Sequence, residues 1–459
     1  MLKSFRSFAS RMLAVVLAAQ MVLLPSAAQA RGISLIRDAE IESLMRAYTS
    51  PIFKVAGIKE GATKIYLIND PGINAFVAGG QRIFINTGLL VQAKTPNEVI
   101  GVLSHETGHI SGGHLARMGQ QMDKASTTAI LGMLLGAAAM VGGAVSGQGE
   151  AAQMGQGVML GSQGLAQRNL LSYARAQEAA ADQAAVKYLD QSGQSGEGML
   201  TLFQTLANQS LGSLQNVNPY VMSHPMPLDR IRNLEQIVKK SPNYGKPDSP
   251  EFVMRHKLMQ AKLTGFLDSP QQVYQLYPRS DVSLAGRYAR AIAAFRVGDL
   301  KSAIPEIEGL IQEQPKNPYF WELKGQALIE GGRPADAVAP LQQAVKLAPQ
   351  AGLIQIMLAQ AQLGTENNAN ATAALKTLQQ AARTESDNVG LWRFRAVAYG
   401  KLGDIPNAEL ATAEAAMRSG DRELATQKAK SALTKFPKGT PEWVRANDIL
   451  NFTAKKKKG

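Results

Sequence analysis

Two histidines and a glutamate within residues 105–109 have the types and the spacing for metal chemistry. On a helix, positions four apart share one face, so the imidazoles of His105 and His109 can bind the same ion. Glu106 lies beside that face, where it can take a proton from water without binding the metal. Two histidine ligands, a carboxylate base and an open position for water are typical of zinc hydrolases.

The alternative is a surface helix with two unrelated histidines, and the neighbouring residues argue against it. Residues 96–103 read as the first turns of the same helix, which Thr95 or Asn97 can cap, and their apolar side chains predict a mostly buried surface. Three of the five histidines of the chain fall within residues 105–114. The stretch therefore predicts a metal site.

A zinc ion with two histidine ligands needs a further protein ligand, and the chain contains no cysteine. His114 lies on roughly the opposite helix face from His105, unless the helix breaks at Gly112-Gly113. In the alternative known spacing, a third histidine ligand follows the first by ten residues. Leu115 occupies that position here. We therefore do not expect His114 to bind the metal.

Glu178 and Asp182 are better candidates, because they share one face of a helix predicted over residues 170–190. Glu178 can bind the metal, while Asp182 accepts a hydrogen bond from the outer nitrogen of a ligand histidine and fixes its ring. Spacing alone does not distinguish this hypothesis from the alternative that both acids are ordinary surface charges.

The elements that must position these residues can be predicted from patterning. Residues 33–55 have the apolar face of a helix, and residues 64–70 read as a strand. Two short strands over 75–78 and 82–86 flank Gly79-Gly80 as a hairpin. A small antiparallel sheet is thus expected just before the metal helix, and its edge near 75–86 can pair with an extended substrate.

Residues 127–145 are apolar but rich in glycine, which lowers helix stability. They can form a buried or lid helix over the site, a helix that makes peripheral contact with a membrane surface, or a true span. The Gly- and Gln-rich residues 146–168 are expected to be mobile.

The amino terminus predicts export. Residues 1–30 have a basic start, an apolar run ended by Pro25, and small residues Ala28-Gln29-Ala30 before Arg31, as in a cleavable signal peptide. A chain without cysteine runs no risk of mispaired disulfides in an oxidising compartment. With a signal peptide and no other predicted anchor, the periplasm of a Gram-negative cell fits best, and secretion to the medium is the alternative. The formal net charge of +13 is spread out except at Lys455–Lys458, and no nucleic-acid module is recognisable.

The carboxy-terminal half carries an internal repeat. Small residues recur at a spacing of 34, with one three-residue insertion near 365–370. They are Ala291, Gly325, Ala359 and Ala396 in one series, and Ala303, Ala337, Ala374 and Ala408 in the other. A 34-residue helix-turn-helix unit is the tetratricopeptide pattern, and such arrays offer a concave surface to a partner.

These features predict a chain of successive parts. The expected fold class is an α+β, zincin-like metalloprotease domain, mostly helical with a small antiparallel sheet, followed by an all-α tetratricopeptide solenoid. The parts are a signal peptide (1–30), the protease domain (31–238), a linker with capping helices (239–280), the repeats (281–436) and a basic tail (437–459).

Several motifs in order resemble one protein group. They are Asn74-Ala75-Phe76, residues 82–89, the motif at 105–109, Glu178 with Asp182, and His224-Pro225. This set is similar to the zinc metalloprotease family that includes the HtpX membrane proteases and the CAAX prenyl proteases. The resemblance covers about residues 65–235 by motif, while the repeat covers 284–420.

The resemblance implies one Zn²⁺ per chain, held by His105, His109 and Glu178, with Glu106 as the base. It also implies that His224 lies on a loop near the metal, where it can occupy the open position and keep the enzyme inactive. Moved away, His224 or the nearby Arg230 can instead stabilise the oxyanion.

The implied clients are misfolded or stalled outer-membrane proteins, with the repeats choosing clients or docking at the outer-membrane assembly machinery. Two rival functions stay open. One is a chaperone or adaptor whose site is largely closed, and the other is a purely structural zinc domain.

Overall fold

The computed structural model describes residues 34–59, 61–127, 131, 149–211, 218–365 and 367–455. The predicted signal peptide and nearly all of the apolar segment 127–145 lie outside the described residues. From Ile36 onward the described residues belong to one compact unit.

The first part of the chain is mostly helical around a small sheet. Its elements are β1 (Leu35–Ile36), α1 (Ala39–Val55), β2 (Lys64–Ile68), β3 (Ala75–Ala78), β4 (Arg82–Asn86), α2 (Thr87–Gln92), α3 (Pro96–Ser111), α4 (Gly149–Gln191), α5 (Glu197–Leu211), α6 (Pro219–Ser223) and α7 (Leu228–Lys239). Residues 114–127 are also helical. Within the described residues, none of the helices is both long enough and apolar enough to span a membrane.

The prediction of a wholly antiparallel sheet is wrong. The strand order is β1-β2-β4-β3, and β2 pairs with β4 in parallel, Lys64 opposite Arg82 and Ile68 opposite Asn86. The β3–β4 hairpin is antiparallel as expected. Because β4 lies between β2 and β3, only β3 of the predicted 75–86 segment has an open edge among the described strands.

Two helix boundaries differ from the predictions. Helix α1 begins at Ala39, because the Asp38 side chain accepts a hydrogen bond from the Ile41 N–H and caps it. The Gly- and Gln-rich stretch expected to be mobile is helical from Gly149, as the first half of α4.

The second part is a stack of helix pairs, as the repeat predicts. Its elements are α8 (Pro250–Leu267), α9 (Pro270–Leu276), α10 (Leu284–Arg296), α11 (Leu300–Glu313), α12 (Pro318–Glu330), α13 (Pro334–Leu347), α14 (Gly352–Leu363), α15 (Asn368–Ala381), α16 (Val389–Lys401), α17 (Ile405–Ser419), α18 (Arg422–Leu433) and α19 (Pro441–Lys455). Ala303, Ala337 and Ala374 are fully buried. A Cβ at Gly325 would lie 2.3 Å from Leu341 Cγ, so only a residue without a side chain fits there.

Helix α8 joins the two parts. Its Met259 and Leu263 are buried in the core of the first part, while its Leu258 and Ala261 are buried in the core of the first repeat helices. The segment predicted as a linker with capping helices is therefore a packed connection. Likewise, most of the predicted basic tail is helix α19, whose Ala446 is buried against its neighbours.

Candidate metal centre

Four side chains converge on one point inside the first part of the chain. One donor atom from each of His105, His109, Glu178 and His224 lies within 4.8 Å of the others. His105 Nε2 is 3.0 Å from His109 Nε2 and 3.4 Å from Glu178 Oε2, and His109 Nε2 is 3.4 Å from Glu178 Oε1. We call these four residues the metal group.

Helix α3 presents the two motif histidines because both of its ends are fixed. Thr95 caps its amino end by accepting a hydrogen bond from the Glu98 N–H. A Cβ at Gly108 would lie 2.8 Å from the carbonyl oxygen of Ala181, so this glycine lets α4 approach closely. The same contact brings Glu178 and Asp182 beside the histidines.

His224 reaches the group from the short helix α6. Its N–H donates to the Tyr220 carbonyl at 2.7 Å, and its ring lies 4.6 Å from the Tyr220 ring. His224 Nδ1 is 3.1 Å from Glu178 Oε2 and 3.4 Å from His105 Nε2. The histidine that the resemblance places on a loop near the metal thus fills the fourth side of the group.

Asp182 and Arg230 lie behind the group. Asp182 Oδ1 is 2.9 Å from His105 Nδ1, a hydrogen-bond separation with an unfavourable angle at the ring nitrogen. Arg230 donates to both oxygens of Asp182, at 2.7 and 2.8 Å, and its Nη1 is 2.8 Å from Glu178 Oε2. The guanidinium is thus engaged with the two acids, and its predicted role at an oxyanion stays a prediction.

Glu106 lies beside the group and outside it, as a base requires. Its side chain is fully buried, and Oε1 is 3.4 Å from His224 Nε2. Neither carboxylate oxygen has a hydrogen-bond partner among the described residues, nor has His224 Nε2. Buried polar atoms without hydrogen-bond partners destabilise the folded state. These atoms therefore indicate a place for water or substrate.

Two parts of the chain match known protein families. Residues 36–238 match the model of peptidase family M48, and residues 288–352 match a tetratricopeptide repeat model. The chain carries an M48 peptidase domain. The whole metal group lies within this domain. The protein is a zinc metalloprotease.

Curated relatives are similar to this chain over different lengths. The beta-barrel assembly-enhancing protease of Yersinia pestis is 25% identical over 384 residues, 83% of this chain and 76% of that protein. The protein of the same name from Escherichia coli K12 is 21% identical over 369 residues, 79% of this chain and 69% of its own. The mitochondrial metalloendopeptidase OMA1 of Schizosaccharomyces pombe is 26% identical over 185 residues, 40% of this chain and 49% of that protein.

The electrostatics of the M48 site favour a positive charge among its donors. Burial lowers the pKa of His109 to about 2, so its imidazole is neutral. Burial opposes the charge of Glu178, but the imidazoles of His105 and His224 outweigh it and hold the pKa of Glu178 well below its usual range. Burial also disfavours a charged His105, yet Asp182 and Glu178 raise the pKa of His105 to about 9.

The donor set fits zinc. Imidazole nitrogens and a carboxylate are the ligands that catalytic zinc sites use, and a cation would compensate the buried carboxylate charge. Burial raises the pKa of Glu106, and the nearby His224 and His105 only partly offset this effect.

Sequence reasoning missed two residues of this site. Tyr220 is buried against His224, four residues before it, and no sequence signal distinguishes it from an ordinary core tyrosine. His114 was set aside as a ligand, and it lies outside the metal group, but its Nδ1 is 3.1 Å from His109 Nδ1. The signal for this contact was the pair Gly112-Gly113, where a helix break can bring the chain back.

Proposed function

We propose that this metalloprotease is an endopeptidase in which His105, His109 and Glu178 hold the zinc ion and Glu106 is the general base. The observation that carries the proposal is the convergence of these ligands next to a buried carboxylate with no hydrogen-bond partner among the described residues. A zinc ion held by these ligands would act as a Lewis acid toward the scissile carbonyl and the attacking water.

The residues of the chain carry the proton steps. Glu106 accepts a proton from the attacking water and later delivers it to the leaving amine, so one water is added across the peptide bond. His224 must leave the group before substrate enters, because its Nδ1 lies 3.1 Å from the ligand Glu178. The open edge of β3 offers backbone groups to an extended substrate.

Metal analysis of the purified chain, together with Glu106→Gln, tests this assignment. We expect one zinc per chain in both the wild type and the variant, with cleavage of a casein-like substrate reduced 10²- to 10⁴-fold in the variant, the usual contribution of a general base. Substitution of His105, His109 or Glu178 should instead remove the metal. A zinc-loaded Glu106→Gln protein that cleaves at the wild-type rate would refute the role of Glu106.

We further propose that the enzyme acts in the periplasm on misfolded or stalled outer-membrane proteins. The names of the relatives from Yersinia pestis and Escherichia coli support this setting. Helix pairs that continue through α17 support a docking surface for clients or for the outer-membrane assembly machinery.

A chaperone or adaptor function is the second candidate, and the position of His224 favours it. Four protein donors would complete the usual coordination of a zinc ion and leave no open position for substrate. In a strain that lacks the gene, full rescue of outer-membrane assembly by Glu106→Gln would make proteolysis secondary. Failure of that variant to rescue supports the protease.

A further inference from the structure

His114 lies against the side of His109 that faces away from the metal group. The two rings are nearly perpendicular, at 88°, with centroids 4.9 Å apart. Their Nδ1 atoms are 3.1 Å apart, a hydrogen-bond distance. His109 Nε2 faces the metal group, so His114 meets the outer nitrogen of this ring.

This contact selects one form of His109. A neutral imidazole carries a single N–H, and a ring that binds a metal through Nε2 must carry it on Nδ1. An acceptor placed at Nδ1 therefore favours the form that binds metal. His114 is such an acceptor when its own hydrogen is on Nε2.

We propose that His114 is a positioning residue, which fixes the ring orientation and the tautomer of His109 for zinc binding. The inference rests on the proposed ligand role of His109. With this role for His114, the two motif histidines have different partners at their outer ring nitrogens. His105 Nδ1 lies 2.9 Å from the carboxylate of Asp182. His109 is oriented by a neutral ring, which adds no further negative charge to the buried site.

The backbone is built for this contact. Helix α3 ends at Ser111, and Gly113 has a φ of +61°, a left-handed conformation that favours glycine. A Cβ at Gly112 would lie 2.2 Å from His114 Nε2 and 2.5 Å from its Cδ2. The turn at Gly112-Gly113 therefore reverses the chain and leaves room for the His114 ring.

Zinc affinity, measured by competition with a chromogenic chelator on the full-length protein, tests the proposal apart from activity. We expect His114→Ala to weaken zinc binding 10- to 100-fold, the usual effect of removing the outer partner of a ligand. His114→Asn should restore most of the affinity, because its amide oxygen can take the place of Nδ1. Gly112→Ala should weaken binding in the same direction, because it displaces the ring without removing it.

The control is Leu115→Ala, since Leu115 is 47% exposed and adjacent to His114 in the chain. We expect its zinc affinity to equal that of the wild type. The absorption spectrum of the cobalt-loaded protein adds a second readout, because a changed ring orientation alters the d–d bands and a remote structural change does not.

The outcomes separate this proposal from the proposed function. If the wild type binds zinc, His109→Ala abolishes binding and a folded His114→Ala keeps the wild-type affinity and cobalt spectrum, the positioning role is overturned while the ligand set stands. If His109→Ala retains full zinc affinity, both proposals fail. A loss in His114→Ala that His114→Asn restores supports the inference.

Discussion

Arg230 shows how single residues balance charge in the metal site. Its guanidinium contacts Asp182 twice and Glu178 once, so one buried cation faces two carboxylates. Burial and the Arg230 contacts have opposite effects on Asp182, and the net result lowers the pKa of Asp182. Both acids therefore stay ionised, which suits the proposed roles of Glu178 as a metal ligand and of Asp182 as the partner of His105.

Tyr220 permits a prediction about stability. Its side chain is buried, and its hydroxyl has no hydrogen-bond partner among the described residues. Removing such a group relieves its desolvation cost, whereas the ring keeps its contacts with His224 and Phe203. We expect Tyr220→Phe to be neutral or to stabilise the protein by about 1 kcal/mol.

Thermal unfolding of the metal-free protein measures this effect. Tyr48→Phe is the matched control, because the buried Tyr48 hydroxyl lies 3.2 Å from His256 Nδ1 and its loss should destabilise the protein. A Tyr220→Phe protein with a markedly lower Tm than the wild type would mean that its hydroxyl makes a stabilising contact.

Sequence spacing could predict those site residues that lie on the same face of one helix. His105 and His109 share a face of α3, and Glu178 and Asp182 share a face of α4, since helical periodicity is a local property. His114 and Tyr220 could not be assigned, because their contacts depend on a turn after α3 and on the fold of α6.

At the scale of elements, α6 and the residues after it place His224 on the metal group. His224 is followed by Pro225 and Pro227, which restrict the backbone up to the start of α7. Local opening of a short segment of this kind is a common way to gate an active site. We therefore predict that removal of the His224 side chain opens the site.

We expect His224→Ala to increase cleavage of a casein-like substrate several-fold, because it vacates the fourth side of the metal group. Initial rates for the wild type and the variant, both with zinc content measured, give the comparison. Met222→Ala is the control, because Met222 lies on α6, the helix that His224 caps, and is 71% exposed. A folded, zinc-loaded His224→Ala protein with unchanged or lower activity argues against inhibition and for a role of His224 in the reaction.

The elements themselves were predicted better than their pairing. The apolar patterns located β2, β3, β4 and α3, because each pattern depends on adjacent residues. The parallel pairing of β2 with β4 was missed, since it joins strands that are separated by β3 and depends on tertiary contacts.

At the scale of the whole molecule, a buried cluster of charges connects the M48 domain to the repeats. Lys262 Nζ of α8 lies 2.7 Å from Asp38, 3.3 Å from Glu40 and 3.7 Å from Glu322 of α12. Tyr288 of α10 donates to Glu40 at 2.9 Å. The sequence held no local signal for this cluster, because its members come from four separate helices or their caps.

Three carboxylates share the ammonium group of Lys262 in this cluster. Its positive charge therefore stabilises the ionised form of one of them, Glu322, only weakly. Burial raises the pKa of Glu322 to about 7, and the attraction of Lys262 only partly offsets that effect. A carboxyl group whose pKa is raised on folding stabilises the folded state while it is protonated. That contribution is lost as pH rises from the unfolded value near 4.5 to about 7.

Glu322→Gln removes this titration and should change how stability depends on pH. We expect the free energy of unfolding of the wild type, relative to the variant, to fall between pH 5 and pH 7 by on the order of 1 kcal/mol per pH unit. Tm measured at several pH values in this range tests it, with Glu330→Gln as a control on the exposed surface of the same helix. If the Tm profiles of the wild type and Glu322→Gln run parallel, Glu322 does not titrate between pH 5 and pH 7, and the junction between protease and repeats holds it ionised throughout.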